Sequence, residues 1–140
     1  MKQRVMLNVC GKQAYADQEP DVIELTTEGT MEFLDGGWEI SYVESDLTGL
    51  NGVTTTFRVE PERVVLTREG KLHSQMVFRL GQTHESLYQM EFGALLIAVT
   101  AQQVYFDITP DGGCIDLVYE IVIENSASGI VDYHLDIRAI

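Results

Sequence analysis

Trp38-Glu39-Ile40-Ser41-Tyr42-Val43-Glu44 alternates apolar and polar residues, and so do Thr55-Thr56-Phe57-Arg58-Val59-Glu60 and Met76-Val77-Phe78-Arg79-Leu80. In a β-strand successive side chains point to opposite faces, so this period of two predicts strands with one dry and one wet face. Between or beyond these runs lie Asn51-Gly52, Glu69-Gly70 and Asp111-Gly112, pairs that suit the tight turns of antiparallel hairpins.

Working outward, the same pattern continues in both directions. Upstream, Arg4 to Lys12 places Val5, Leu7 and Val9 on one face and Met6 and Cys10 on the other. A loop around Gln18-Glu19-Pro20-Asp21 follows, because proline fixes its own φ and lacks a donor. From Val22 the odd residues Ile23, Leu25, Met31 and Phe33 share a face, and Gly29 marks a bulge or a sharp bend in a long strand. Downstream come Arg63 to Arg68, Leu72 to Leu80, Glu85 to Glu91, Ala94 to Thr100, Gln103 to Thr109, Gly113 to Glu124 and Ile130 to Arg138. The segment from Ser45 to Gly52 is the longest connection of the central stretch and is expected to cross a barrel mouth. No window carries the i, i+3, i+4 repeat of an amphipathic helix, so the chain reads as all-β with about ten strands. Full closure removes exposed sheet edges, which favours a single antiparallel β-barrel over the alternative of a sandwich.

The 140 residues, 45% of them hydrophobic, suffice for one domain with a sizeable core. A net charge of −13 repels phosphate backbones and anionic lipid, and the basic residues Arg58, Arg63, Arg68, Lys71 and Arg79 are scattered, so neither nucleic acid nor membrane is an expected partner. The two cysteines, Cys10 and Cys114, fall in different strands without the spacing of a disulfide framework or zinc site, and are expected as free buried thiols unless those strands are neighbours. The start has basic residues but no sustained apolar run or cleavage site, and no stretch reaches the ~20 apolar residues of a spanning helix. A cytoplasmic protein is the expectation.

Catalytic signatures are missing. There is no Gly-x-Ser-x-Gly, neither cysteine has a histidine close in sequence, His73, His84 and His134 are single, and His84-Glu85 lacks the second histidine of a zinc-protease helix. No catalytic residue, metal or cofactor is expected. More telling are polar residues on a face that alternation turns inward. Tyr42 and Glu44 share a face with Trp38 and Ile40, and Arg68 shares one with Val64 and Leu66. A buried carboxylate needs a partner, and Arg68 can supply it. Glu44, Arg68, Tyr42 and Tyr88 then form a polar floor for a small ligand. The competing readings place Glu44 and Arg68 at strand ends in water, or make the cluster an internal network that fixes strand register.

The order Ile40-Ser41-Tyr42-Val43-Glu44, Thr54-Thr55-Thr56-Phe57-Arg58-Val59, Leu66-Thr67-Arg68-Glu69-Gly70, Met76-Val77-Phe78, Tyr88-Gln89-Met90-Glu91-Phe92-Gly93-Ala94-Leu95 and Asp116-Leu117-Val118-Tyr119-Glu120 resembles the YwiB-like family of small bacterial proteins. The likeness covers nearly the whole chain, departing at Met90-Glu91, where the family carries Thr-Pro. It implies a calycin-type, lipocalin-like barrel in a cytoplasmic setting, and brings no activity or functional residues to carry over. The expected function is therefore non-catalytic binding of a small, partly apolar ligand in the lumen. The alternative is a structural or protein-interaction module, its interior packed solid by Phe57, Met76, Phe78 and Leu95, engaging a partner or a second copy as a homodimer through a loop such as Asp46 to Asn51. A cavity of roughly 300 Å³ or more separates the two.

Overall fold

In the computed structural model, residues 2–15, 21–44, 51–125 and 127–140 are described. They form ten strands: β1 (Gln3–Tyr15), β2 (Asp21–Leu34), β3 (Gly37–Val43), β4 (Thr54–Glu60), β5 (Arg63–Glu69), β6 (His73–Phe78), β7 (Thr83–Met90), β8 (Gly93–Thr109), β9 (Gly112–Ile123) and β10 (Ala127–Ala139). Each strand pairs antiparallel with the next, and β1 pairs with both β2 and β10, so the meander closes into a single barrel. The hairpin chemistry sets the register. Asp35 (φ 51°) and Gly36 (φ 81°) both adopt the left-handed conformation that a two-residue turn between twisted strands demands.

Two of the sequence expectations are refined. Ala94 to Thr100 and Gln103 to Thr109 are not separate strands. They are one strand, β8, with a register shift between Ala101 and Gln103 where it pairs with β9. The extra residue reverses the pleat, so Ile97, Val99 and Ala101 face inward before it, and Val104, Phe106 and Ile108 pack against the core after it. Gly29 lies within β2 where the backbone of β3 comes close. A Cβ there would lie 2.4 Å from the Ser41 carbonyl oxygen, so only glycine fits without displacing β3.

The closure has one weak seam. Strands β6 and β7 share a single paired position, His73 with Gln89, and below it the chain after β6 reaches past β7 to β8, with Leu80 bridging Ala101 and the Gly81 N–H donating to the Ala101 carbonyl. The barrel wall therefore opens between β6 and β7.

Inside, the two ends differ. Towards the end formed by the β2–β3, β4–β5 and β8–β9 turns, Val5, Leu7, Ile40, Phe57, Val64, Phe78, Ile115 and Leu135 are fully buried and fill the barrel. Phe57 tilts against Tyr133 with ring centroids 5.5 Å apart, and Phe78 against Tyr119 at 4.6 Å. Beyond this aromatic layer the interior is hollow.

Candidate functional site

The hollow end holds a cavity of about 370 Å³. Its wall divides by chemistry. Val9, Leu95, Ile97, Tyr119, Ile121 and Val131 supply an apolar arc from β1 and β8 to β10, whereas Tyr42, Glu44, Arg68 and Tyr88 supply polar groups from β3, β5 and β7. All four residues singled out from the alternation thus line one cavity. Both residues stand at or near strand ends, but the reading that leaves them in water does not hold, since the Glu44 side chain is only 2% exposed and that of Arg68 16%.

Register explains the convergence. Tyr42 pairs with Thr55, Thr55 with Arg68, and Arg68 with Ser74, so one inward row runs across four strands. Glu44 stands just past β3, its main chain still tied to the barrel because its N–H donates to the Val53 carbonyl at 2.7 Å. The Thr55 hydroxyl donates to Glu44 Oε2 at 2.6 Å, and Arg68 Nε lies 3.8 Å from the same oxygen. This is how a carboxylate is held in a dry wall: a hydroxyl donor and a guanidinium replace the water it has lost.

The Tyr42 and Tyr133 hydroxyls meet at 3.0 Å, joining β3 to β10 across the lumen. Burial pushes the Tyr42 hydroxyl up to about 12, and the negative charge of Glu44 adds to the effect. Burial likewise drives Tyr133 well above the ordinary phenol range, with Tyr42 contributing next. Both phenols are neutral donors at neutral pH, so this end of the cavity offers hydroxyls rather than phenolates. The tyrosine pair, backed by Phe57, is the cavity floor.

Tyr133, Thr55 and Ser74 belong to this constellation without having been singled out from the sequence. Tyr133 was legible only as an apolar-face residue of the last strand. Its partner is far away in sequence and becomes a neighbour only when β1 closes the barrel between β2 and β10. Ser74 is 7% exposed, and its Oγ, like Arg68 Nε, is buried without a hydrogen-bond partner among the described residues; His84 Nδ1 is a third such atom. Beside the open seam a groove of about 410 Å³ runs along Thr67, Arg68, Ser74, Gln75, Ser86 and Gln89 on β5 to β7. Arg68 borders both this groove and the lumen.

The cysteines are free, as the spacing implied, but neither is fully buried. Both point outward on β1 and β9, which are separated by β10, so they are not neighbours. On the same outer wall His134 contacts Asp116 through Nδ1 and Asp136 through Nε2, the latter at 2.9 Å. Among the described residues no group of three or more ligating side chains is disposed to hold a metal ion. The segment expected to span the mouth or engage a partner falls, at residues 45–50, outside the described residues.

The fold and cavity can be set beside known proteins. A family model described as a domain of unknown function, DUF1934, matches residues 7–137, and the chain belongs to that family. The crystal structure of the YwiB protein from Bacillus subtilis superposes with a TM-score of 0.89 over 99% of this chain and 93% of the other, at 21% sequence identity. That likeness shows a shared barrel fold. No curated protein matches the sequence.

Proposed function

We propose that this member of the DUF1934 family is a non-catalytic binding protein that holds one small, partly apolar molecule in the hollow end of a calycin-type barrel. The observation that carries this reading is the cavity of about 370 Å³, with an apolar arc facing a polar one. Its size falls at the lower end of the few-hundred Å³ range typical of small-molecule sites, and a mostly apolar wall with a few placed polar groups is what such sites share. Binding is favoured over turnover because the polar groups engage one another. Thr55 and Arg68 serve Glu44, Tyr133 serves Tyr42, and no described lumen residue pairs a nucleophile with a free base. Free thiols on the outer wall support a reducing, cytoplasmic setting.

Native mass spectrometry of the protein purified from its own host tests the reading. A stoichiometric small molecule, released on denaturation and absent from an Ile121→Trp variant whose indole fills the lumen, is the expected result. A bare chain from the native host overturns tight binding.

A further inference from the structure

Arg68 and Ser74 are opposed across the β5–β6 ladder, and each has a buried polar atom that lacks a hydrogen-bond partner. Ser74 is 7% exposed and shares an inward face with Met76 and Phe78, so its hydroxyl is well over nine-tenths removed from water. The Arg68 Nε–H has Glu44 Oε2 at 3.8 Å, close enough to balance charge and too far to accept its hydrogen. Buried donors are nearly always satisfied in native proteins, so two opposed ones, Arg68 on the wall shared by lumen and groove and Ser74 on the groove side of it, ask for an acceptor from outside the chain. They also stand where the β6–β7 ladder is open, and Arg68 is reached both from the lumen and from the groove outside the seam.

We propose that Arg68 and Ser74 form a subsite for the carbonyl oxygen of an uncharged ligand, an amide, ester or ketone, whose apolar body lies along the Ile97, Ile121 and Val131 wall. This rests on the lumen-binding reading and names the chemical class it takes. A guanidinium N–H can only donate, and the serine hydroxyl donates as readily as it accepts, so the missing group is an acceptor. Charge decides between a carbonyl and a carboxylate. Glu44 and Arg68 already sum to zero within the wall, and the chain carries −13 overall. A second carboxylate would lie against Glu44 in a medium where like charges repel strongly, whereas a neutral carbonyl accepts from both donors without that penalty.

Three probes with one apolar body separate the possibilities: phenylacetamide, phenylacetate and ethylbenzene, titrated by NMR at neutral pH. In the unmodified protein the amide is expected to bind at least about tenfold tighter than either companion, the discrimination of one charge-assisted hydrogen bond. Ser74→Ala is expected to weaken the amide about fivefold and leave ethylbenzene unchanged, while the melting temperature of the free protein does not fall, because no hydrogen bond is lost. Arg68→Lys keeps the cation beside Glu44, removes the Nε–H, and is expected to erase the same preference. Phenylacetate binding as tightly as the amide overturns the proposal, as does an equal loss for amide and ethylbenzene in Ser74→Ala. If all three probes bind without discrimination, lumen binding survives and the subsite fails. If none perturbs Ile121 or Tyr133, lumen binding itself fails and the subsite with it.

Discussion

The inward face of β9 runs through both halves of the barrel, and its residues have different neighbours in each. Ile115 and Leu117 meet side chains from every direction and are 0% and 1% exposed, while Ile121, six positions beyond Ile115 on the same face, borders the cavity. The alternation is the same in both; what differs is the opposing wall. At the filled end it is apolar, with Phe57, Ile40, Leu66 and Phe78 fitting into one another. At the hollow end, β3 to β5 present Tyr42, Thr55, Glu44 and Arg68: Thr55 and Arg68 turn to Glu44, Tyr42 meets Tyr133 at the floor, and the space above them stays unfilled. The barrel is therefore divided along its axis: one end is packed as a core, and the other, where we propose a ligand binds, is lined by a polar network and left open.

The sharpest break of this comparison is a pair of identical truncations. Ile115→Ala is expected to cost about 4 kcal/mol, towards the upper end for a side chain removed from a filled core, and Phe57→Ala about as much or more. Ile121→Ala is expected to cost about 2 kcal/mol, because the cavity it enlarges already exists and fewer contacts are lost. Urea unfolding of the variants checks this. Equal losses at Ile115 and Ile121 would mean the hollow end is packed in solution.

Next in size is the polar wall. Arg68→Ala removes the guanidinium beside the buried Glu44 carboxylate, and is expected to destabilise by about 3 kcal/mol. A change below about half a kcal/mol, the range of ordinary surface substitutions, would place the pair in water instead. Smaller again is Tyr133→Phe, which removes one hydroxyl from the floor at an expected cost of about 1 kcal/mol. The same floor sets an alkaline limit. Because the folded Tyr42 hydroxyl is pushed up to about 12 from an ordinary value of 10, the unfolded chain loses its proton first. Stability is thus complete below pH 10 and falls as pH climbs towards 12, more steeply than in Tyr42→Phe.

Strand number and the inward placement of Tyr42, Glu44, Arg68 and Tyr88 were legible because alternation reports pleat, and pleat decides face. The sandwich alternative fell only to long-range pairing, the β1–β10 ladder, which no local pattern encodes. Three further features were out of reach for related reasons. The bulge in β8 reverses parity at a stretch, Ala101-Gln102-Gln103, that carries no glycine to announce it. The open seam between β6 and β7 is a property of two strands diverging, although each reads as an ordinary strand by itself. A packed interior and an open cavity are not exclusive along one barrel: Phe57 and Phe78 fill one end, while Met76 and Leu95, expected to pack beside them, line the cavity. Alternation says which side chains point inward. It says nothing of how far they reach across, which depends on the diameter of the closed barrel.

The smallest expected effect comes from the outer wall and serves as the control for the inner one. His134 turns outward from the strand that turns Tyr133 inward, and it contacts carboxylates on both ring nitrogens, Asp116 and Asp136. The hydrogen bond with Asp116 raises its pKa above the usual imidazole value of 6.5, partial burial opposes the rise, and Asp136 adds to it. A raised folded pKa means that the folded state holds the proton more tightly. The stabilisation is therefore complete below pH 6.5 and disappears as pH rises past the elevated folded value. The side chain is 37% exposed and screened by solvent, so the whole contribution should stay below about 1 kcal/mol. Unfolding free energies measured from pH 6 upward should decline slightly in the parent and remain flatter in His134→Gln. If that substitution instead cost as much as Ile115→Ala, the outer wall would be holding the barrel together, and the division between a packed end that stabilises and a hollow end that does not would have to be redrawn.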